Sequence, residues 1–380
     1  MNDRATFGTF FLPGPTEVRP EVLAAMSRAM IPHRGVAFES LYARLQSGLR
    51  LVFRTTRPVY VSTSSATGLM EAAVRCAPSG PVLALVNGAF SARFAQIARA
   101  CGRPTHEIGV PLGSVHDPSA VEKALARSRF TALTVVHSET STGALQDIAS
   151  LADIAHRHGT KILVDSVSGI GGAPVETDDW QLDFVLTGSQ KALALPPGLA
   201  FAVVNEGYLN AARAVPDRGL YFDVVEFDEF AAKNQTPNTP ALSLMYAADV
   251  QLEAIASEGI DARWARHAQM RDVVSQWILD RQAAGMAVDV LAPAGARSPT
   301  VSAITLPNGV AGNDVVKSVA ASGFVIGAGY GPLKERTIRI GHMGDHTPAG
   351  LSRCLDACAR AIDYARCDPS SASTSAYPDG

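Results

Sequence analysis

The sequence predicts an α/β fold: a parallel sheet covered by helices on both faces, followed by a smaller α+β domain. Three observations carry this. Between residues 58 and 205 short β-rich runs alternate with amphipathic helical patterns. The runs are continuously apolar, as strands buried on both faces are. After two long helical stretches the chain then changes to a shorter alternation of strands and helices.

In order, the runs are PVYVS (58–62), VLALV (82–86), TALTVV (131–136), KILVD (161–165), DFVLT (183–187) and LAFAVV (199–204). Helices are expected between them at 67–77, 91–101 and 148–158. A helical stretch over 240–257 leads into another over 261–284. Beyond it come a strand at 300–306, a helix at 313–322, a strand at 337–340 and a last helix at 348–365. The chain divides into an N-terminal arm (1–16), a large domain (17–257) and a small C-terminal domain (258–366). A Ser/Pro-rich end (367–380) has the composition of a disordered tail.

A chain of 380 residues with 47% apolar and 18% charged residues can bury a sizeable core. Its 33 basic and 36 acidic side chains leave a formal charge of −3. That balance argues against nucleic acid or an anionic membrane as partner. No apolar run approaches the roughly 18 to 20 residues of a membrane span. The N-terminus, MNDRATFGTFFLPGPTEV, does not signal secretion, and five scattered cysteines make no disulfide framework. A cytoplasmic protein is expected.

Only six lysines are present, and Lys191 stands apart from the other five. It lies in GSQKALALPPGLAF with no other charge from Gly188 to Asn205. Lost hydration disfavours the charged form and makes such an amine a usable nucleophile, although a lysine can also snorkel to the surface from an apolar segment. Ligands of open α/β sheets bind beyond the carboxyl ends of the strands, and several polar clusters fall there. STSSATGLMEAA follows the first run. Its backbone N–H groups and the hydroxyls of Ser65 and Thr67 suit a phosphate, or equally an ordinary N-cap. HSETSTG (137–143) follows TALTVV, and Asp165 ends KILVD, where a buried carboxylate requires a partner. A phosphate cradle, an acid and a desolvated lysine at the mouth of one sheet suit pyridoxal phosphate (PLP). The lysine forms the Schiff base, the acid keeps the pyridine nitrogen protonated and the helix start takes the phosphate.

From FLPGPTEV to IRIGHMG the chain resembles the class V (fold-type I) PLP aminotransferases, especially the alanine/serine–glyoxylate group. ETSTG, VDSVSG and SQKAL…PPGLAF carry most of the resemblance. It implies a mostly parallel seven-stranded sheet, an N-terminal arm that contributes to the site, and a homodimer. Lys191 would carry the internal aldimine and transfer the proton, and Asp165 would pair with the pyridinium. Val167 and Phe90 would pack on the two ring faces, and Thr140 would contact the ring oxygen. Ser65, Ala66, Thr67 and Gln190 would hold the phosphate. Ala66 stands where the family commonly has glycine, a substitution that is strained if the turn needs a positive φ. Thr239, in NTP (238–240), would reach the partner subunit's phosphate. Arg339 would clamp the substrate carboxylate, as its bidentate fork suits. The activity implied is ping-pong transfer of an amino group from serine or alanine to glyoxylate or pyruvate. An aspartate-type donor would need a second cation, for which Arg34 and Arg336 are candidates, and His33 with Arg34 could also join the site.

Within the same fold, 2-aminoethylphosphonate–pyruvate aminotransferase is the nearer alternative. A lyase of the cysteine desulfurase type is disfavoured, because Gln190 precedes the lysine and no cysteine lies between Cys101 and Cys354. A catalytically silent relative would not need Lys191, Asp165 and Arg339 together. No metal is expected. HRH (156–158) lacks the i, i+4 spacing of helical ligand pairs, and Cys354 and Cys358 have that spacing but no second pair, so they read as core residues. GAGYGP (327–332) lacks the GxGxxG spacing and reads as a mobile turn of the smaller domain.

Overall fold

The computed structural model describes residues 7–367. Residues 1–6 of the expected arm and 368–380 of the expected tail lie outside them. In chain order, β1 (Tyr60–Ser62), β2 (Val82–Val86), β3 (Thr105–Gly109) and β4 (Ala132–Val136) precede a small hairpin, β5 (Ser138–Glu139) and β6 (Ala144–Leu145). Then come β7 (Lys161–Asp165), β8 (Phe184–Gly188) and β9 (Ala200–Val204). The last strands are β10 (Asp289–Val290), β11 (Val301–Thr305), β12 (Gly327–Ala328) and β13 (Thr337–Gly341).

The larger sheet has seven strands in the order β1-β9-β8-β7-β4-β2-β3, and the six runs read from the sequence are all in it. The sheet is mostly parallel, as the resemblance implies. β9 runs antiparallel to both β8 and β1, while the pairs from β8 to β3 are parallel. The β8–β9 connection carries Lys191 and contains no helix, so it is too short for a parallel crossover. The seventh strand, β3, was absent from the apolar runs. Its THEIG sequence lies at the sheet edge, where none of its five residues is buried. Apolar content was therefore no guide to it.

The second sheet, β10-β11-β13-β12, is antiparallel throughout. Helices Ile260–Ala283 and Pro348–Cys367 contribute to the core over it, Cys354 and Cys358 included. The first of these helices serves two cores. Ile260 and Trp264 join the core of the larger sheet, and Met270, Val274 and Ile278 join that of the smaller. It starts just after Gly259, whose φ of 81° lets the chain turn sharply out of helix Leu242–Glu258. Among the described residues no helix is long and apolar enough to cross a membrane.

Two long-range ties fix the strand-end face of the larger sheet. The N-terminal segment lies along the smaller sheet, with Phe11 N donating to the Val325 carbonyl at 2.7 Å and Gly341 N to the Phe11 carbonyl at 2.8 Å. It continues over the β8–β9 loop, where Thr16 N donates to the Gln190 carbonyl at 2.9 Å. Arg263 is 1% exposed. It donates to the Gly171 and Ala192 carbonyls at 3.1 and 2.8 Å and pairs with Glu258 and Asp345 at 2.8 and 2.9 Å. Breaking a buried pair by removing one partner costs about 3–5 kcal/mol. Arg263→Ala should lower the free energy of denaturant unfolding by that amount. A loss below about 0.5 kcal/mol, the scatter of surface substitutions, would contradict this account.

Candidate active site

β1 and β8 run in the same sense as β2, β4 and β7, so the carboxyl ends of all five strands meet at one edge. A cavity of about 510 Å³ opens there. Nine predicted residues line it: Ser65, Ala66, Thr67, Phe90, Thr140, Asp165, Val167, Gln190 and Lys191.

Lys191 is 8% exposed, and its Nζ donates to the Pro13 carbonyl. Among the described residues no carboxylate lies within ion-pair distance of it. Burial, and then the charge of Arg339, bring its pKa down to about 8, against smaller opposing effects of Asp165 and Glu139. Gly14 is what lets the arm pass so closely, since a Cβ there would run into Nζ. Asp165 is 3% exposed and one of its oxygens accepts from Val167 N at 2.8 Å. Its other oxygen has no hydrogen bond among the described residues. Burial pushes the carboxyl up to about 7, the Val167 bond opposes the shift and Glu139 adds to it. A buried acid short of a partner thus faces a buried amine short of a counter-ion.

Ser65 is the N-cap of helix Ala66–Arg75 without a side-chain capping bond, and Ser65 and Thr67 are exposed to the cavity. Gly68 N donates to the Ser65 carbonyl at 3.0 Å, which leaves the Ala66 and Thr67 N–H groups at the helix start for an anion. Ala66 is the first helical residue and is not among the positive-φ positions. The anticipated strain of alanine for glycine is therefore absent. Phe90 is the second residue of helix Ala89–Ala100 and Val167 follows β7, both on the cavity wall. Thr140 shares a 2.6 Å hydrogen bond with Ser168. Anion donors, a carboxyl, an aromatic and an aliphatic side chain and an amine around one cavity fit a phosphorylated heteroaromatic ring.

Arg339, on β13, does not line this cavity but reaches towards it. Its Nε donates to the Ala328 carbonyl at 2.9 Å and Nη1 to the Thr140 carbonyl at 3.3 Å. It is half-buried, no carboxylate pairs with it among the described residues, and Nη2 is left for an incoming one. Thr239 is exposed on a separate depression beside β1 and is not brought to the cavity of its own chain. Arg34 holds that same loop through the Thr236 and Pro237 carbonyls at 2.8 and 3.1 Å. Arg336 is exposed, and neither it nor His33 or Arg34 lines the cavity. The GAGYGP segment is a bonded turn, with Gly327 paired to Arg339 across β12–β13 and Gly329 N donating to the Thr337 carbonyl at 2.9 Å.

Sequence reasoning missed Glu139, although it quoted the ETSTG motif. Glu139 is fully buried and accepts from Ser91 N at 2.9 Å, Phe90 N at 3.2 Å and Ser141 Oγ at 2.6 Å. It caps the helix that carries Phe90 and ties it to the loop that carries Thr140. A glutamate inside an otherwise uncharged polar loop was the available signal. Arg93, which lines the cavity 5.3 Å from the Phe90 ring centroid, was also missed, since one turn after Phe90 it resembles a solvated helix residue.

Because the folded pKa of Asp165 is raised, its contribution to stability is full below the ordinary value of 3.8 and is lost as pH rises through about 7. The loss amounts to about 4 kcal/mol above that pH. In the cofactor-free protein Asp165→Asn should therefore raise Tm at pH 8, with a smaller gain at pH 5. A Tm at pH 8 equal to or below that of the parent would refute the assignment of a destabilising buried carboxylate.

Comparison with known proteins agrees with this geometry. The family model for aminotransferase class-V matches residues 10–336. The serine–glyoxylate aminotransferase of Methylorubrum extorquens is 32% identical, over 88% of this chain and 86% of its own. The L-aspartate–glyoxylate aminotransferase of Paracoccus denitrificans is 31% identical, over 89% and 87% respectively. The crystal structure of an alanine–glyoxylate aminotransferase from Nostoc superposes with a TM-score of 0.86 at 28% identity, covering 93% of this chain and 95% of that one. The chain belongs to the class-V aminotransferases, a PLP-dependent family of fold type I.

Proposed function

We propose that this cavity binds PLP through Lys191 and that the protein transfers the amino group of a small amino acid, serine or alanine, to glyoxylate or pyruvate. The observation that carries the reading is the Lys191 amine, buried opposite Asp165 with no carboxylate partner. Bound there, PLP supplies an electron sink that acidifies the hydrogen on the donor's α-carbon.

The residues have separate tasks. Ser65, Thr67, Gln190 and the helix N-terminus bind the phosphate, and Phe90 and Val167 hold the ring from either face. Thr140 donates to the ring oxygen. Asp165 holds a proton at the ring nitrogen, which is the cationic partner its buried carboxylate lacks. Lys191 Nζ, with its pKa near 8, would take a proton from the α-carbon and return it to the carbon two bonds away, on the far side of the donor's nitrogen. Arg339 clamps the α-carboxylate through its free edge. In a homodimer the exposed Thr239 loop reaches the partner's phosphate. The cycle is ping-pong, with amino donor and keto acceptor using the same site in turn.

A monocarboxylate donor is favoured because neither Arg34 nor Arg336 lines the cavity. One observation favours an aspartate-type donor instead: Arg93 lines it with no carboxylate partner among the described residues. A visible titration of the PLP-loaded protein decides. L-Serine or L-alanine should bleach the yellow band, and glyoxylate or pyruvate should restore it. Bleaching by L-aspartate alone would select the second reading, and bleaching by 2-aminoethylphosphonate alone would select the phosphonate amine. A band that no amine alters would reject transamination. Lys191→Ala should lack both the band and turnover, and retention of both would sink the role given to Lys191.

A further inference from the structure

The turn that carries Tyr330 is left without a task by the roles above. Phe90 and Tyr330 bring together a helix of the larger sheet and a turn of the smaller one, with ring centroids 5.7 Å apart and planes at 40°. Lys191 Nζ lies 5.9 Å from the Phe90 centroid, and Arg339 Cζ lies 5.4 Å from that of Tyr330. Arg339 and Lys191 are near enough for the charge of one to act on the other. Amine, aromatic ring, aromatic ring and guanidinium thus follow one another in a row that starts on the cavity wall, at Lys191 and Phe90, and ends at Arg339. An α-amino acid whose nitrogen replaces the Lys191 amine and whose carboxylate meets Arg339 would have its α-carbon beside this row. The aromatic pair is then the wall that its side chain meets.

The wall is supported from behind. A Cβ on Gly329 would run into the Leu333 carbonyl and the Thr337 hydroxyl, so the turn packs flush against its own strand. Leu333 N donates to the Tyr330 carbonyl at 3.1 Å, and Thr337 Oγ1 to the Leu333 carbonyl at 2.9 Å. On the other side Gly327 abuts Pro13, whose carbonyl takes the Lys191 amine. These bonds fix the backbone that presents the Tyr330 ring, and the ring itself, 37% exposed, borders solvent.

We propose that Tyr330, backed by this turn and paired with Phe90, is a specificity-determining residue that limits the amino donor to short side chains, of the size of methyl or hydroxymethyl. The inference rests on the transaminase reading only for the identity of the donor. The size limit itself is a property of the space beside Arg339.

The test uses the PLP-loaded full chain and its Tyr330→Ala and Tyr330→Phe variants. Two ratios are measured: kcat/KM for L-2-aminohexanoate over L-alanine, and calorimetric affinity for hexanoate over acetate, which bind without reacting. A methylene's worth of fit is about tenfold or more. Tyr330→Ala should raise both ratios at least that much, while Tyr330→Phe leaves them at the parent values. Unchanged ratios in a Tyr330→Ala protein that retains its visible band would overturn the proposal. So would equal changes in both variants, which would assign the effect to the hydroxyl. If the parent converts no α-amino acid, the transaminase reading fails while the carboxylate ratio still decides the role of Tyr330. Should Tyr330→Ala not fold, Tyr330→Leu removes the ring with less loss of volume and is held to the same outcomes.

Discussion

Lys191 Nζ is buried under the Pro13–Gly14 segment and bonded to a backbone carbonyl instead of a carboxylate. Much of the fold serves to keep it there. The arm can cross it because Gly14 has no side chain, and the arm is anchored by backbone bonds to Val325 and Gly341 at the smaller sheet. The loop after Lys191 is held from below, where the Arg263 guanidinium takes the Ala192 carbonyl and pairs with Asp345. Elements beside both sheets and the N-terminal segment therefore converge on a single amine.

The charges around that amine act against the cofactor-free fold. Lys191 has a pKa lowered to about 8, so its contribution to stability is full above the ordinary 10.5 and is lost as pH falls through 8. Asp165 behaves oppositely and loses its contribution as pH rises through 7. Between pH 7 and 8 both contributions are therefore largely lost, by about 3 and 4 kcal/mol respectively. In the proposed complex, a cationic ring nitrogen against Asp165 and a covalent bond at Lys191 would remove both penalties together. Strain of this kind is the physical reason a site of displaced pKa values marks function more sharply than a hydrophobic pocket does.

How much of this could be read from the sequence depended on whether the signal was local. Lys191 was legible because it is alone in a long uncharged stretch, and Asp165 because it ends an apolar run. The six apolar strands were legible for the same reason, whereas β3, exposed at the edge, was not. Direction was not legible in the case of β9, since it follows from the connection and not from composition. Glu139, Arg263 and Tyr330 act on partners far away in sequence, such as Glu139 on Ser91 and Arg263 on Ala192. No window on the chain contains both members of such a pair. Ala66, where the resemblance raised the question of a positive φ, is simply the first residue of a helix, which the sequence pattern alone does not reveal.

The central claim is that Lys191, and no other of the six lysines, is the residue that holds PLP. Borohydride reduction of the PLP-loaded protein fixes the cofactor on its lysine, and peptide mass spectrometry then locates it. The account predicts a single modified peptide, with the added mass on Lys191 of the SQKALALPPG segment. A modification on Lys161 or another lysine, or none on a protein that shows the yellow band, would contradict it.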